Sequence, residues 1–379
     1  MASTGSVSAA SPPPPSRDTK KYHCLKLAAG AASSFLSVAL LVCLVVTGWS
    51  RVLASWAVTV APSQYGALVI FAAGVGLCQG VLTLPIGYYA GFVIEHRFGL
   101  SNQTAGRWAW ERLKGILIGA PVGLLVLVVL YSCLIAWGPL WWLPVGTVLT
   151  VLSVILARLG PVIILPLFYR VVPLPEGSLK ERLLSLCTRS GLPVQGVFSF
   201  NLSKNTKKAN AGFTGIGKAR RIILGDTLVR EFTDEEVETV FAHELGHQRR
   251  HHIAIGIAAG TVSTFAGLFL TSVLYGRSLA ALGFRAPADL AALPLLAVWL
   301  AVYGLLTMPA ENLLSRRHEY EADVYAVEAT GKPEAFVSAL NKLARMNLAD
   351  QEPHPLIEFL LYSHPSIGKR IRRAEQLQP

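Results

Sequence analysis

The sequence predicts an α-helical polytopic membrane protein of about six transmembrane helices, joined to a polar domain that contains a small antiparallel β-sheet. Three observations carry this reading. The 379 residues are 52% hydrophobic and only 15% charged, whereas soluble domains average about 25% charged residues. Mean hydropathy is +0.47. The charges are also absent from whole stretches long enough to cross a bilayer.

Taken in order, residues 1–22 are rich in Ser, Ala and Pro, with four prolines at 12–15, and read as a disordered tail. An N-terminal membrane region of about four spans, 23–169, follows. Ala28–Ser50 is uncharged and long enough to span. The polar leader and the length of the run favour a retained anchor over a signal peptide. A second span covers roughly Tyr65–Ile94. The uncharged residues between Lys114 and Arg158 are too many for one crossing, and Gly138-Pro139 offers the turn that divides them into spans three and four. Residues 170–379 form the polar domain, interrupted by two further spans at about 253–276 and 290–310.

Lys and Arg placement sets the orientation. The tail (Arg17, Lys20, Lys21, Lys26), the second-to-third loop (Arg97, Arg107, Arg112, Lys114), the 158–252 segment and the C-terminal segment are basic. The opposite loops hold Arg51, Arg277 and Arg285. By the positive-inside rule both termini and both polar segments face the cytoplasm. The membrane would be the cell membrane in a bacterium and the endoplasmic reticulum in a eukaryote. The net charge of +11 is spread over loops flanking apolar runs, so it points to a lipid bilayer and its headgroups, not to nucleic acid. Five scattered cysteines suggest neither a disulfide framework nor a thiolate metal site.

In the first polar segment, Glu176–Arg189 has helical periodicity, and Val194–Phe200, Ala209–Thr214 and Arg221–Leu224 read as short strands. An exposed edge of such a sheet could pair with an extended substrate backbone. A structural ribbon accounts for the strand pattern equally well.

Thr233–His252 carries the chemistry. Thr233 and Glu236 make a capping box, acidic residues fill the first turn, and no proline follows until Pro287, so this stretch predicts a helix continuous with the fifth span. His243 and His247, four apart, share one face and can hold one metal ion, while Glu244 sits about 100° round and can reach a water on it. His-Glu-x-x-His is the arrangement of zinc metallopeptidases, with two imidazole ligands and a carboxylate base. His251 would lie about 12 Å along the helix from His243, too far to share the ion. His252, His318, His354 and His23 read as surface residues. Arg250 and Ile253 stand where metzincins need Gly and His, which excludes that class. After the sixth span, Ser315–Asp323 returns on the same membrane side with several carboxylates, one of which could complete the site.

Together these residues resemble the type I CAAX prenyl endopeptidase family of membrane zinc proteases. The resemblance runs over about 65–375. It includes Glu95–Thr104, Pro166-Leu167-Phe168, Pro175-Glu176-Gly177, Asn210-Ala211, Gly217-Lys218, Arg220-Arg221-Ile222, His243–His247, Ser315–Asp323, His364-Pro365 and Arg370-Ile371. It implies one Zn²⁺ per chain with Glu319 as third ligand and Asp323 behind it orienting a ligand histidine. It further implies that Asn210 and Ala211 lie on the substrate-binding strand and that His364 steadies the substrate carbonyl or the tetrahedral intermediate. Helical geometry agrees at the third ligand. Glu319 and Glu321 point about 200° apart, and Asp323 shares the face of Glu319, whereas Glu321 shares one with Arg317 and Tyr325. Family members usually carry an aromatic where Gly212 stands, and seven spans where six are read here.

The expected function is therefore a zinc metalloendopeptidase, with zinc polarising the scissile carbonyl and Glu244 as general base. Its partners would be a peptide or protein substrate, membrane-associated or lipidated, and the bilayer. A membrane quality-control protease with no prenyl requirement is the alternative within enzymes. A catalytically silent scaffold is the alternative outside them, although a structural zinc site has no use for Glu244.

Overall fold

A computed structural model describes residues 17–192, 194–214 and 221–377. The prolines at 12–15, Gly217-Lys218 and Arg220 lie outside the described residues. Fifteen helices follow in chain order: α1 Arg17–Val46, α2 Trp49–Val60, α3 Gln64–Tyr88, α4 Ile94–Arg97, α5 Ala105–Trp137, α6 Trp142–Leu159, α7 Leu165–Phe168, α8 Ser178–Arg189, α9 Asp226–Glu231, α10 Asp234–Arg249, α11 His252–Ala281, α12 Leu293–Thr330, α13 Pro333–Met346, α14 Pro355–Leu361 and α15 Ile367–Glu375. Among the described residues, six segments are long and apolar enough to cross a membrane: Asp18–Val46, Gln64–Arg97, Ala105–Leu140, Trp142–Leu159, His252–Ala281 and Leu290–Thr330. Helix α1 starts at Arg17, inside the stretch expected to be a disordered tail, because Tyr22 has a buried position against Phe98 and Ile94.

The spans pack most tightly at one end. Val45, Ala57, Phe71, Tyr131, Trp141, Tyr275 and Leu290–Leu296 form one buried cluster there, and the α11 residues nearer His252 are largely exposed on the protein surface. Leu174, Leu183, Val197, Leu224, Phe241, Leu245, Ala326, Phe336 and Ile371 build the core of the polar domain. Helix α12 belongs to both clusters, apolar at its start and contributing Ala326 and Val327 at its end.

Four strands make the sheet: β1 Val171–Pro173, β2 Gly196–Phe200, β3 Ala211–Thr214 and β4 Arg221–Gly225, in the order β1-β2-β4-β3. The sheet is mixed, which corrects the antiparallel expectation. β3 and β4 fold as an antiparallel hairpin with Ala211 opposite Leu224, but β4 inserts beside β2 in parallel register, Val197 opposite Ile222. β1 adds antiparallel at the far edge. This leaves β3 at the other edge, against α10, with Ala211 packed on the core that holds Phe241 and Leu245.

The expected continuous helix from Thr233 into the fifth span is broken. His251 adopts φ 58 and ψ 27, the left-handed conformation, between α10 and α11. No glycine or proline announces the break.

Candidate metal centre

Helix α10 starts as its sequence dictates. The Thr233 hydroxyl accepts from the Glu236 N–H at 3.3 Å and the Glu236 carboxylate accepts from the Thr233 N–H at 2.8 Å. Lys342 and Ser338 also bind Glu236, anchoring the helix to α13. Gly246 then lets α12 approach: a Cβ there would lie 3.0 Å from the Ala322 Cα and 3.2 Å from both the Ala322 carbonyl and the Tyr325 Cβ. That contact brings Glu319 opposite the two histidines.

His243 Nε2 and His247 Nε2 are 3.2 Å apart, His243 Nε2 lies 3.3 Å from Glu319 Oε2, and His247 Nε2 lies 3.3 Å from Glu319 Oε1. Two donors each 2.0–2.1 Å from a tetrahedral ion stand about 3.3 Å apart, so the triangle has the size of a zinc-type site. The chemistry fits as well. His243 Nδ1 donates to Asp323 Oδ1 at 2.8 Å, which turns the Nε2 lone pair inward. Glu319 Oε2 is buried and has no hydrogen-bond partner. A buried carboxylate oxygen facing imidazole lone pairs is costly unless a cation joins them.

Electrostatics point the same way. Burial alone would lower the His243 pKa, but the Asp323 and Glu319 carboxylates beside it outweigh burial and push it up to about 9. The negative potential that favours a proton there equally favours a metal cation. Arg370 is the counter-charge. Its guanidinium clamps Asp323 at 2.6 and 2.8 Å and reaches Glu319 Oε2 at 3.8 Å. Burial would lower its pKa, yet those carboxylates raise it further. Arg370 stands among the residues that carry the family resemblance, but nothing in the local sequence gives it this role.

Of the residues singled out from the sequence, His243, His247, Glu319, Asp323 and His364 come together. His364 Nε2 lies 3.3 Å from Glu319 Oε1, with its ring 63% exposed and its Nδ1 2.9 Å from the Ser363 hydroxyl. Arg316, buried on α12, donates to the Glu358, Phe359 and Tyr362 carbonyls and holds the turn that presents it. Glu244 is half-buried on the neighbouring helical face, close enough for its charge to act on Arg370. Asn210 is exposed just ahead of β3, its carbonyl accepting from the Gly225 N–H at 2.8 Å. Gly212 has nothing within 4 Å of a built Cβ and lines a mostly apolar cavity of about 430 Å³ with Phe168, Tyr169, Phe200 and Ile223. His354 is exposed and His23 and His318 are half-buried, but His252 is buried, contrary to its reading as a surface residue. His252 contacts His247 and Glu321, so Glu321 is not the plain outer ion pair expected for it, although Arg317 does donate to it at 3.3 Å.

A helical membrane body whose helices deliver two histidines and a glutamate to one metal-sized triangle defines an integral-membrane metalloendopeptidase. Residues 173–378 match the model of peptidase family M48 and residues 15–170 match the model of the CAAX prenyl protease N-terminal region with five membrane helices. The chain belongs to peptidase family M48. It is 32% identical to the uncharacterized metalloprotease YhfN of Bacillus subtilis (strain 168) over 88% of this chain and 79% of that one. It is 30% identical to CAAX prenyl protease 1 of Saccharomyces cerevisiae over 77% of this chain and 68% of that one. The crystal structure of S. mikatae Ste24p superposes with a TM-score of 0.81 at 26% identity, covering 97% of this chain and 93% of that one. Helix α2 is too short to cross a bilayer at 12 residues, so the 15–170 region supplies four candidate spans here.

Proposed function

We propose that this chain is a zinc endopeptidase that cleaves extended, membrane-associated peptides, with His243, His247 and Glu319 holding the metal. The donor triangle with its orphaned Glu319 oxygen carries the reading. Zinc bound there would supply Lewis acidity and an acidified water. The chain's own residues do the rest. Asp323, clamped by Arg370, fixes the His243 tautomer. Glu244 takes the proton of the attacking water and delivers it to the leaving amine. His364, exposed at the rim, donates to the developing oxyanion.

The edge strand β3 pairs with the substrate backbone through Asn210 and Ala211, and the apolar cavity under Gly212 takes a bulky substrate group. Several relatives are named CAAX prenyl proteases, which supports a lipidated C-terminal peptide as substrate. The placement of the basic loops supports a cytoplasmic orientation. The start of α1, the Glu95 segment, the segment holding Lys208 and the C-terminal segment meet through Tyr22, Lys26, Lys208, His23 and Tyr362, which supports an even number of spans with these segments on one side.

The test is cleavage of paired C-terminal peptides, farnesylated and unmodified, by detergent-purified protein with and without chelator. Chelator-sensitive cleavage favouring the farnesylated peptide is expected. Chelator-insensitive cleavage would refute the metal reading, and equal cleavage of both peptides would refute the lipid preference.

A further inference from the structure

His247, in the ligand reading proposed above, needs its Nε2 lone pair turned toward His243 and Glu319. His243 receives that orientation from Asp323 at its Nδ1, whereas His247 Nδ1 meets a second imidazole in place of a carboxylate. Its Nδ1 lies 3.0 Å from His252 Nδ1, and His252 Nε2 lies 3.1 Å from Glu321 Oε2. We infer that His252 and Glu321 are positioning residues for the metal centre, acting as a two-step relay that fixes the tautomer and ring plane of His247.

The proton bookkeeping runs in one direction. Glu321, paired with Arg317 at 3.3 Å, offers only acceptor oxygens. His252 Nε2 must therefore carry the hydrogen that bonds Oε2, which leaves Nδ1 as an acceptor. Among the described residues the group facing that acceptor is His247 Nδ1, which must then carry the hydrogen, so the His247 lone pair is confined to Nε2, the atom in the donor triangle. His318 stacks on the His252 ring at 4.1 Å and 6°, and the His252 side chain is 3% exposed, so the ring is held in this plane.

The backbone is bent to make this possible. On an unbroken helix His252 would point about 140° away from His247 and lie about 7.5 Å further along. The left-handed turn at His251 swings it back instead. A non-glycine residue is disfavoured in that conformation and persists where the surroundings require it. The His252–His247 contact is what the kink achieves.

A packing role and a relay role separate by substitution. His252→Phe keeps the ring and its stack but removes the acceptor. His252→Asn keeps an acceptor near the position of Nδ1. Metal affinity of the metal-free protein, read by competition with a chromophoric chelator, should fall about 10–100-fold for His252→Phe and stay within about threefold for His252→Asn. Cobalt(II) bound to the Phe variant should show shifted visible bands, and metal-free melting temperatures should be unchanged. Equal losses in both variants, or no loss in either, would overturn the relay. Should the Phe variant fail to fold, Glu321→Ala, at a side chain 39% exposed, carries the same expectation of weakened binding, and wild-type affinity there would overturn it. His247→Ala in the same assay separates the two levels of the argument. Metal binding retained by that variant would refute the ligand assignment itself. Its loss, beside wild-type binding by His252→Phe, would refute the relay alone.

Discussion

Gly246→Ala should weaken the metal centre even though the same change stabilises most helices. In an exposed helix interior, Gly to Ala gains roughly 0.5–1 kcal/mol. Here the added Cβ would sit 3.0 Å from the Ala322 Cα and 3.2 Å from the Ala322 carbonyl and the Tyr325 Cβ. These are backbone atoms and the root of a side chain, so no rotamer change relieves the contact. Ordinary carbon contacts need about 3.5–4.0 Å, so α10 and α12 must separate by on the order of 0.5 Å. Overpacking of this kind costs about 1–3 kcal/mol, which outweighs the propensity gain. The separation also exceeds the roughly 0.2 Å tolerance of metal-ligand distances, and it acts directly between Glu319 on α12 and the two histidines on α10. The expected result is a net destabilisation of about 1–2 kcal/mol with a loss of metal affinity beyond tenfold. Thermal unfolding of the metal-free protein and chelator competition measure the two effects separately. A Gly246→Ala variant that is more stable and binds metal as tightly as the parent would show that the close approach does not set the site.

Other expectations follow from the same geometry. Glu244→Gln should abolish peptide hydrolysis with metal stoichiometry near wild type; turnover by a metal-loaded variant would remove Glu244 from the base role. Glu319→Ala should strip both metal and activity, because it deletes the donor that bridges the two histidines, and metal content at parental level would show the triangle is not the binding site. His364→Ala should lower turnover about 10²–10³-fold while sparing metal content, whereas parallel loss of both would make His364 a structural residue. Burial would raise the Glu236 pKa, but Lys342, Ser338 and the Thr233 N–H hold it below its ordinary 4.5. Its contribution to stability is thus present above that value and lost as pH falls through the lowered one. The stability gap between parent and Lys342→Met, measured by unfolding, should shrink on going from pH 7 to pH 3, and a constant gap would mean the pair is not linked to folding.

Much of the site was legible because it is local. The capping box, the His243/His247 spacing and the Glu319/Asp323 spacing are all set within one or two helical turns, where side-chain directions follow from the period alone. The six spans were legible because bilayer thickness imposes a length and composition that no other element shares. What escaped was non-local or conformational. β4 pairs in parallel with a strand that is not its sequence neighbour, and β1 contains Pro173, a poor strand signal. The kink at His251 has no breaker residue, so the periodicity continues smoothly across it and places His252 on the wrong face. Arg370 reaches Asp323 across 47 residues, and no spacing rule connects them.

Both helices that carry the donors continue into apolar spans, α10 through the His251 kink into α11, and Glu319 within the long α12 itself. The polypeptide joins α11 to α12 at the opposite end, through 282–292. The pair is a two-legged compass with its pivot at that connection and its points at the donor triangle. Each leg is about 40 Å long, so a change of 1° between them displaces the points by about 0.7 Å, several times the tolerance of the donor triangle. The angle between these two spans, which their packing against neighbouring helices sets, therefore bears directly on the geometry of the donor triangle.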